Sequence, residues 1–281
     1  MTRIAIVTDS TCDMPAEWDE RRRVHVIPIH IRFGEESFLE GIEIDENGFY
    51  DRVNRDGVIP QTSQPNPEEF ASFYRSLSKE YDAVISMHVT ARLSGTYQSA
   101  AIAADMVKDE ITVRPYDSAC GSAGLGFMAR EALALIDQGG TLESVLARLD
   151  TIRRRMNILL TPETLKYAAM SGRVSSLGHA MASLLNIKPI IVLDEGELIA
   201  GERVRTRRRA WQRMVEMMQE RLGNAPANVA VVHARDPQSG KALQQLAESA
   251  FNCERVWLTT LAPSVAVHLG PGTVGLVGYR L

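Results

Sequence analysis

Short apolar runs that end in loops of hydroxyls, acids and glycine, and then give way to helical spacing, constrain this chain more than any other feature. In the first half they fall at 4–7, 83–87 and 111–114, interleaved with helical patterns at 45–54, 67–78, 94–107, 122–138 and 142–154. A strand that is apolar throughout must be covered on both faces, and a parallel neighbour needs a helix-length crossover to reach it. The alternation therefore predicts a Rossmann-like parallel sheet with helices on both faces. The run 24–31 contains Pro28 and predicts an edge strand. Residues 34–41 read as an acidic loop or hairpin. Three prolines within 59–67 exclude a regular element and predict a rigid loop holding Thr62 and Ser63. The helix after it starts with Asn66 as cap, Pro67 at its first position and two glutamates in its first turn.

Past residue 155 the pattern changes. A strand at 157–160, a helix at 162–169 opened by Thr161 and Pro162, and a polar bridge at 170–176 precede an apolar helix at 177–185. Runs at 187–193 and 197–204 flank Asp194-Glu-Gly196 and predict a β-hairpin. A helix at 206–222, a strand at 229–233, a helix at 238–251, a strand at 256–259 and a glycine-rich apolar segment at 265–279 complete the chain. The expected fold is two α/β domains: residues 1–155 carrying the parallel sheet, and residues 156–281 forming a smaller mixed-sheet domain.

A length of 281 residues accommodates two such domains, and 45% hydrophobic with 23% charged residues supplies ordinary cores. A net charge of −4 argues against nucleic acid as a partner. Three scattered cysteines fit a reducing cytoplasm better than a disulfide framework. The first residues enter a strand pattern without a signal-peptide run, and no stretch reaches the 18 or so apolar residues of a membrane span.

Chemistry concentrates at Ser86-Met-His-Val-Thr-Ala-Arg-Leu-Ser-Gly-Thr96, a strand, a tight turn and a helix start. There Ser94, Thr96 and free backbone N–H groups, including that of Gly95, gather where an anionic oxygen could sit, or where a helix is simply capped. Asp9 and Ser10 close the first strand, the usual place for a site in an open α/β sheet. Gly121-Ser-Ala-Gly-Leu-Gly126 lacks the dinucleotide spacing and a phosphate-binding lysine, and reads as close helix packing. The six histidines show no metal-ligand spacing. Cys120 reads as a buried small hydrophobe rather than a nucleophile. The cluster Arg203-Val-Arg-Thr-Arg-Arg-Arg209 reads as a solvated helix start with one arginine turned inward. His268, before Gly270-Pro-Gly-Thr273, leaves an apolar run where a compact turn can present an imidazole.

Taken together, Ile6-Val-Thr-Asp-Ser-Thr11 with Asp13, Thr62-Ser-Gln-Pro65, Leu93-Ser-Gly-Thr-Tyr-Gln-Ser99, Asp117-Ser118, Ser171-Gly-Arg-Val174, Val204-Arg205 and His268-Leu-Gly-Pro-Gly272 resemble, nearly end to end, the DegV family of bacterial fatty-acid-binding proteins. The resemblance implies a long-chain fatty acid enclosed between the domains, with no other cofactor and no metal. It assigns the carboxylate to Thr62, Ser94, Gly95, His268 and Arg205, with Arg203 and Arg207 as register alternatives. Ser63, Thr96, Asp9, Ser10 and Arg173 are implied as supporting residues. Where the family carries a basic residue and two glycines before the arginine, this chain has Met170-Ser171-Gly172. The implied role is a non-catalytic, cytoplasmic lipid carrier, monomeric when alone and in passing contact with a membrane surface. It would present the carboxylate to a separate ATP-dependent fatty-acid kinase. The energetics allow it: about 14 buried methylenes at about 0.8 kcal/mol each set an upper bound of about 11 kcal/mol before ordering costs. The competing expectation is a serine hydrolase or acyltransferase with Ser94 as nucleophile and His268 as base.

Overall fold

The computed structural model describes residues 2–175 and 187–281. In chain order its strands are β1 (Ile4–Asp9), β2 (His25–Ile27), β3 (His30–Phe33), β4 (Glu36–Leu39), β5 (Gln61–Ser63), β6 (Ala83–His88), β7 (Thr112–Asp117), β8 (Asn157–Thr161), β9 (Val174–Ser175), β10 (Lys188–Asp194), β11 (Glu197–Val204), β12 (Ala227–His233), β13 (Val256–Thr260) and β14 (Val274–Arg280). The α-helices are α1 (Glu46–Asp56), α2 (Pro67–Leu77), α3 (Thr96–Met106), α4 (Ala123–Asp137), α5 (Leu142–Arg155), α6 (Lys166–Ser171), α7 (Arg207–Leu222), α8 (Pro237–Glu248) and α9 (Pro263–Leu269).

Two α/β units result. The first is built on a parallel sheet of order β2-β1-β6-β7. Both β1 and β6 are buried along their whole length, so their alternating side chains feed two different cores. Ala5, Val7 and Val84 pack outward against Phe70 and Tyr74 of α2 and Ala100 and Ala103 of α3. Ile4, Ile6, Ile85 and Met87 face the second unit. That unit is a mixed sheet of order β13-β12-β14-β8-β10-β11-β9, with β14 antiparallel to both β12 and β8. Its outer side chains, among them Leu159, Val231 and Leu276, pack on Met214 and Met218 of α7 and Leu243 of α8. Its inner ones, Leu160, Val232 and Val277, join the core that Ile4 and Ile6 enter.

Helix α4 lies in this shared core, touching β1, β6, β12 and β14. A helix between two sheets has no solvent face, which explains its buried run from Ala123 to Ala129. The glycines of 121–126 thus serve packing. Aromatic and polar contacts also join the units. Trp18 meets Trp257 edge-on at 5.2 Å between ring centres, and the Thr90 hydroxyl donates to the Gly196 carbonyl at 3.0 Å.

Several local expectations require correction. The predicted edge strand at 24–31 is two strands in different sheets. Pro28 has no N–H to continue the ladder, so β2 ends at Ile27 and β3 turns into a separate antiparallel sheet of order β4-β3-β5. The stretch 59–67 is not wholly irregular: Pro60 and Pro65 flank β5 rather than interrupt it, and Thr62 pairs with Ile31. The helix expected at 162–169 begins later, at Lys166, because Thr161 is still in β8 opposite Val274. The segment 265–279 is a helix and a strand, α9 and β14, joined by Gly270-Pro271-Gly272. The helix expected at 177–185 lies outside the described residues.

Candidate functional site

Four segments distant in sequence converge where the two units meet. After β6 the chain turns, the Ser94 N–H donating to Thr90 O at 3.2 Å, and α3 begins with Gly95 as its cap. The Ser94 hydroxyl accepts from the Thr96 N–H at 3.3 Å and lies 2.8 Å from the buried Thr96 hydroxyl. First-turn N–H groups of a helix have no intrahelical partner, so this corner is a donor cluster. The Gln64 amide lies over Gly95, where a Cβ would stand 2.9 Å from Nε2. Strand β5 brings Thr62 and Ser63. Helix α9 brings His268, whose Nε2 lies 3.1 Å from Thr62 Oγ1. The chain can leave α9 there because Gly270 adopts φ +87°, with the Tyr167 ring where a side chain would begin. Beyond α6, Arg173 donates to Ser171 O at 2.6 Å, and Ser171 Oγ approaches the His268 carbonyl at 3.4 Å.

Thr62, Ser63, Ser94, Gly95, Arg173 and His268 line one cavity of about 160 Å³, together with apolar Ile29, Leu93, Leu198 and Leu269. Thr62, Arg173 and His268 also line a second, of about 340 Å³, on which Pro60, Tyr167 and Val267 open. The Thr62–His268 contact is therefore part of a wall common to both. Burial pushes the His268 ring down from its usual 6.5 to about 4, and the positive charge of Arg173 pushes the same way. The ring is neutral at neutral pH, which leaves Arg173 as the cation facing this cavity among the described residues.

Arg205 is not there. It is exposed, and it follows the far end of β11, roughly 20 Å along the strand from cavity-lining Leu198 at about 3.3 Å per residue. Arg207 is engaged elsewhere, with Glu163 at 3.0 Å and Asp236 at 2.7 Å.

Asp9 and Ser10 lie beneath the cavity rather than on it. The fully buried Asp9 carboxylate accepts from the Thr11 N–H at 3.0 Å, the Thr11 hydroxyl at 2.5 Å and the Val89 N–H at 2.9 Å, and meets His88 Nδ1 at 3.1 Å. Burial opposes its charge. The hydrogen bonds from His88, Thr11 and Val89 outweigh that and hold it below the usual carboxylate range. Since Thr11 and Val89 both line the cavity, Asp9 fixes two of its walls. His88 continues to Ser86 at 2.7 Å, and Tyr74 donates to Ser86 at 2.8 Å. This has the composition of a hydrolytic triad, but Ser86 and His88 are fully buried and cannot meet a substrate. Sequence reasoning overlooked His88. Its place at the end of a buried strand, one strand over from Asp9, was the available signal.

The geometry gives little to a Ser94 nucleophile. Ser94 is bonded to Thr96, and the His268 ring to Thr62. Among the described residues, carboxylates meet the rings of His30 and His88, and none meets that of His268. Cys120 is buried and its thiol is pushed up to about 12 by burial, so it is a core residue. Among the described residues no cluster of His, Cys, Asp and Glu is placed to hold a metal ion, and no helix is long and apolar enough to cross a membrane.

Known proteins share this fold across nearly the whole chain. Residues 3–280 match the family model described as "Uncharacterised protein, DegV family". Protein DegV of Bacillus subtilis is 35% identical over 276 residues, covering 97% of this chain and 98% of that protein. A DegV family protein from Thermus thermophilus, described for its fatty acid binding, superposes with a TM-score of 0.90 at 34% identity, covering 99% of this chain and 100% of its own. The crystal structure of DegV from Bacillus subtilis, a fatty acid binding protein, gives a TM-score of 0.89 at 33% identity over 100% of both chains. This chain belongs to the DegV family.

Proposed function

We propose that this protein binds a long-chain fatty acid between an N-terminal unit of residues 1–155 and a C-terminal unit of residues 156–281. Thr62, Ser94, the Gly95 backbone, His268 and Arg173 hold the carboxylate, and Arg173 takes the part expected of Arg205. The observation that carries this reading is the convergence of Thr62, Ser94, Arg173 and His268 on one cavity that also has apolar walls. A buried carboxylate loses its hydration and needs hydroxyl, amide and cationic partners, and this set supplies all three. The fatty-acid-binding relatives at 33–34% identity support the ligand class.

The protein acts as a carrier in the cytoplasm and performs no covalent chemistry of its own. It presents the carboxylate to a separate ATP-dependent kinase, which forms the acyl phosphate on the bound lipid. Mass spectrometry of lipid extracted from the purified protein tests the reading. One long-chain fatty acid per chain is expected. Lipid-free protein that also ignores added palmitate and oleate would overturn it.

A further inference from the structure

Two buried carboxyls lie just behind the cavity and have no part in the head-group contacts above. Asp13, after β1, and Glu40, after β4, are each only 6% exposed. Both grip the start of α9: the Ala262 N–H donates to Asp13 at 2.9 Å and the Ser264 N–H to Glu40 Oε1 at 2.7 Å. The second Glu40 oxygen is bonded to the Ser10 hydroxyl, which accepts from the Ile29 N–H at 2.9 Å. Glu40's own N–H donates to the Ile29 carbonyl at 3.0 Å. Ile29 and Ser264 line the 160 Å³ cavity, whereas Ser10 and Glu40 line a separate one of about 480 Å³ on the other side. Glu40 is thus the tie in the partition between them. Ser264 and His268 are four residues apart in α9, one turn on the same face, so a shift at Ser264 is passed directly to the imidazole.

We propose that Glu40 is a positioning residue for the head-group site: through Ser264 it sets where α9 presents His268 to Thr62 and to a bound carboxylate, and it takes up a proton from solvent when that carboxylate binds. The inference rests on the fatty-acid reading of the cavity.

The charges around Glu40 favour this coupling. Asp9 faces it from the end of β1, and Asp45 and Glu46 from the start of α1 across the larger cavity, where Arg21 is the cation; Asp13, in the loop after β1, is itself pushed well above the usual carboxylate range by burial. His268 and Arg173 lie on the other side. Burial pushes the Glu40 carboxyl up to about 7, against the hydrogen bonds from Ser10 and Ser264, and Asp9 adds to the rise. On protonation the Ser10 bond would reverse, Oε2–H donating to Ser10 Oγ, while Oε1 would still accept from the Ser264 N–H. An anion arriving one helical turn away penalises the ionised form further, so binding draws a proton onto Glu40.

Fluorescence titration with cis-parinaric acid at pH 6 and pH 8 tests this in the full-length protein. Glu40→Gln copies the neutral carboxyl, its amide oxygen accepting from Ser264 and its NH₂ donating to Ser10. Its affinity should match wild type within about twofold at pH 6 and exceed it by up to about tenfold at pH 8, the limit for a group that titrates at about 7 and is protonated whenever ligand is bound. His268, held at about 4, is neutral at both pH values, so its own titration does not enter the ratio. Glu40→Ala, which cuts the tie, should bind more weakly at both pH values. A Glu40→Gln to wild-type ratio that is the same at pH 6 and pH 8 would overturn the proposal, whether or not Glu40→Ala folds. Wild-type protein that binds no parinarate at either pH would remove the fatty-acid reading itself, and this inference with it. Wild-type binding with a constant ratio would remove only the role of Glu40.

Discussion

The Thr62 hydroxyl and the His268 imidazole, 206 residues apart in sequence, meet at 3.1 Å across the junction of the two units. The contact joins a three-residue strand of the small antiparallel sheet to the last turn of α9. A carboxylate arriving there would exchange one neutral hydrogen bond for several charge-assisted ones, which are about twice as strong.

Removing either partner, or Ser94, should therefore weaken fatty-acid binding without unfolding the chain. Each of Thr62→Ala, Ser94→Ala and His268→Ala removes one hydrogen bond to a charged group, worth about 1.5–3 kcal/mol, or about ten- to a hundredfold in Kd. Titration with parinarate or palmitate checks this, with melting curves as the folding control. Wild-type affinity in all three variants would rule out this corner as the head-group site.

The two arginines separate two versions of the site. Both are exposed, but Arg173 lines the cavity and is felt by His268, whereas Arg205 lies beyond the far end of β11. Arg173→Gln should lower fatty-acid affinity about tenfold or more, and Arg205→Gln should leave it unchanged within about twofold, as surface charges usually do. The reverse ranking would return the head group to Arg205.

His268 offers a spectroscopic readout. In the empty protein its ring should titrate near 4 rather than 6.5, and a bound carboxylate should move that value upward. The folded-state value is depressed, so the unfolded chain holds the proton more tightly between the two values. Stability present above pH 6.5 is lost as pH falls towards 4, by up to about 3 kcal/mol. Ring-proton NMR with and without palmitate tests the shift, and His268→Gln should flatten the loss. A ring that titrates at 6.5 in the empty protein would contradict its burial.

How much of this was legible in the sequence follows from what each residue depends on. The parallel sheet was readable at β1 and β6 because cover on both faces makes residues 4–7 and 83–85 apolar without interruption. The α2 start was readable because Asn66 and Glu69 cap it locally in a reciprocal box. The three-stranded sheet was not. Its strands are three or four residues long, and prolines stand directly beside β5 and in the break between β2 and β3. The placement of the arginines was hidden for a similar reason. A dense cluster at 203–209 attracts attention, but only the pairing of Leu198 with Val174 reveals that the strand brings its other end, and Arg173, to the cavity. Glu40 gave no signal because its partners are the Ser10 hydroxyl and a backbone N–H 224 residues away.

Asp9 supports the site from below, and its removal should show in stability first. Its two oxygens accept from four donors, on Thr11, Val89 and His88. In Asp9→Asn one oxygen becomes an NH₂ that faces two of those donors. Each buried group left without a partner costs about 1–3 kcal/mol, so a loss of about 2–5 kcal/mol is expected in urea unfolding. The pH dependence should change with it. The wild-type carboxyl is held below its ordinary 3.8, so its contribution is present above that value and is lost as pH falls through the lower folded-state one. The variant should lack this acid-side decline. Because Thr11 and Val89 line the cavity, the variant should also bind fatty acid more weakly at a pH where it remains folded. Full stability with the wild-type acid profile would mean that Asp9 is not the charged anchor of these two loops.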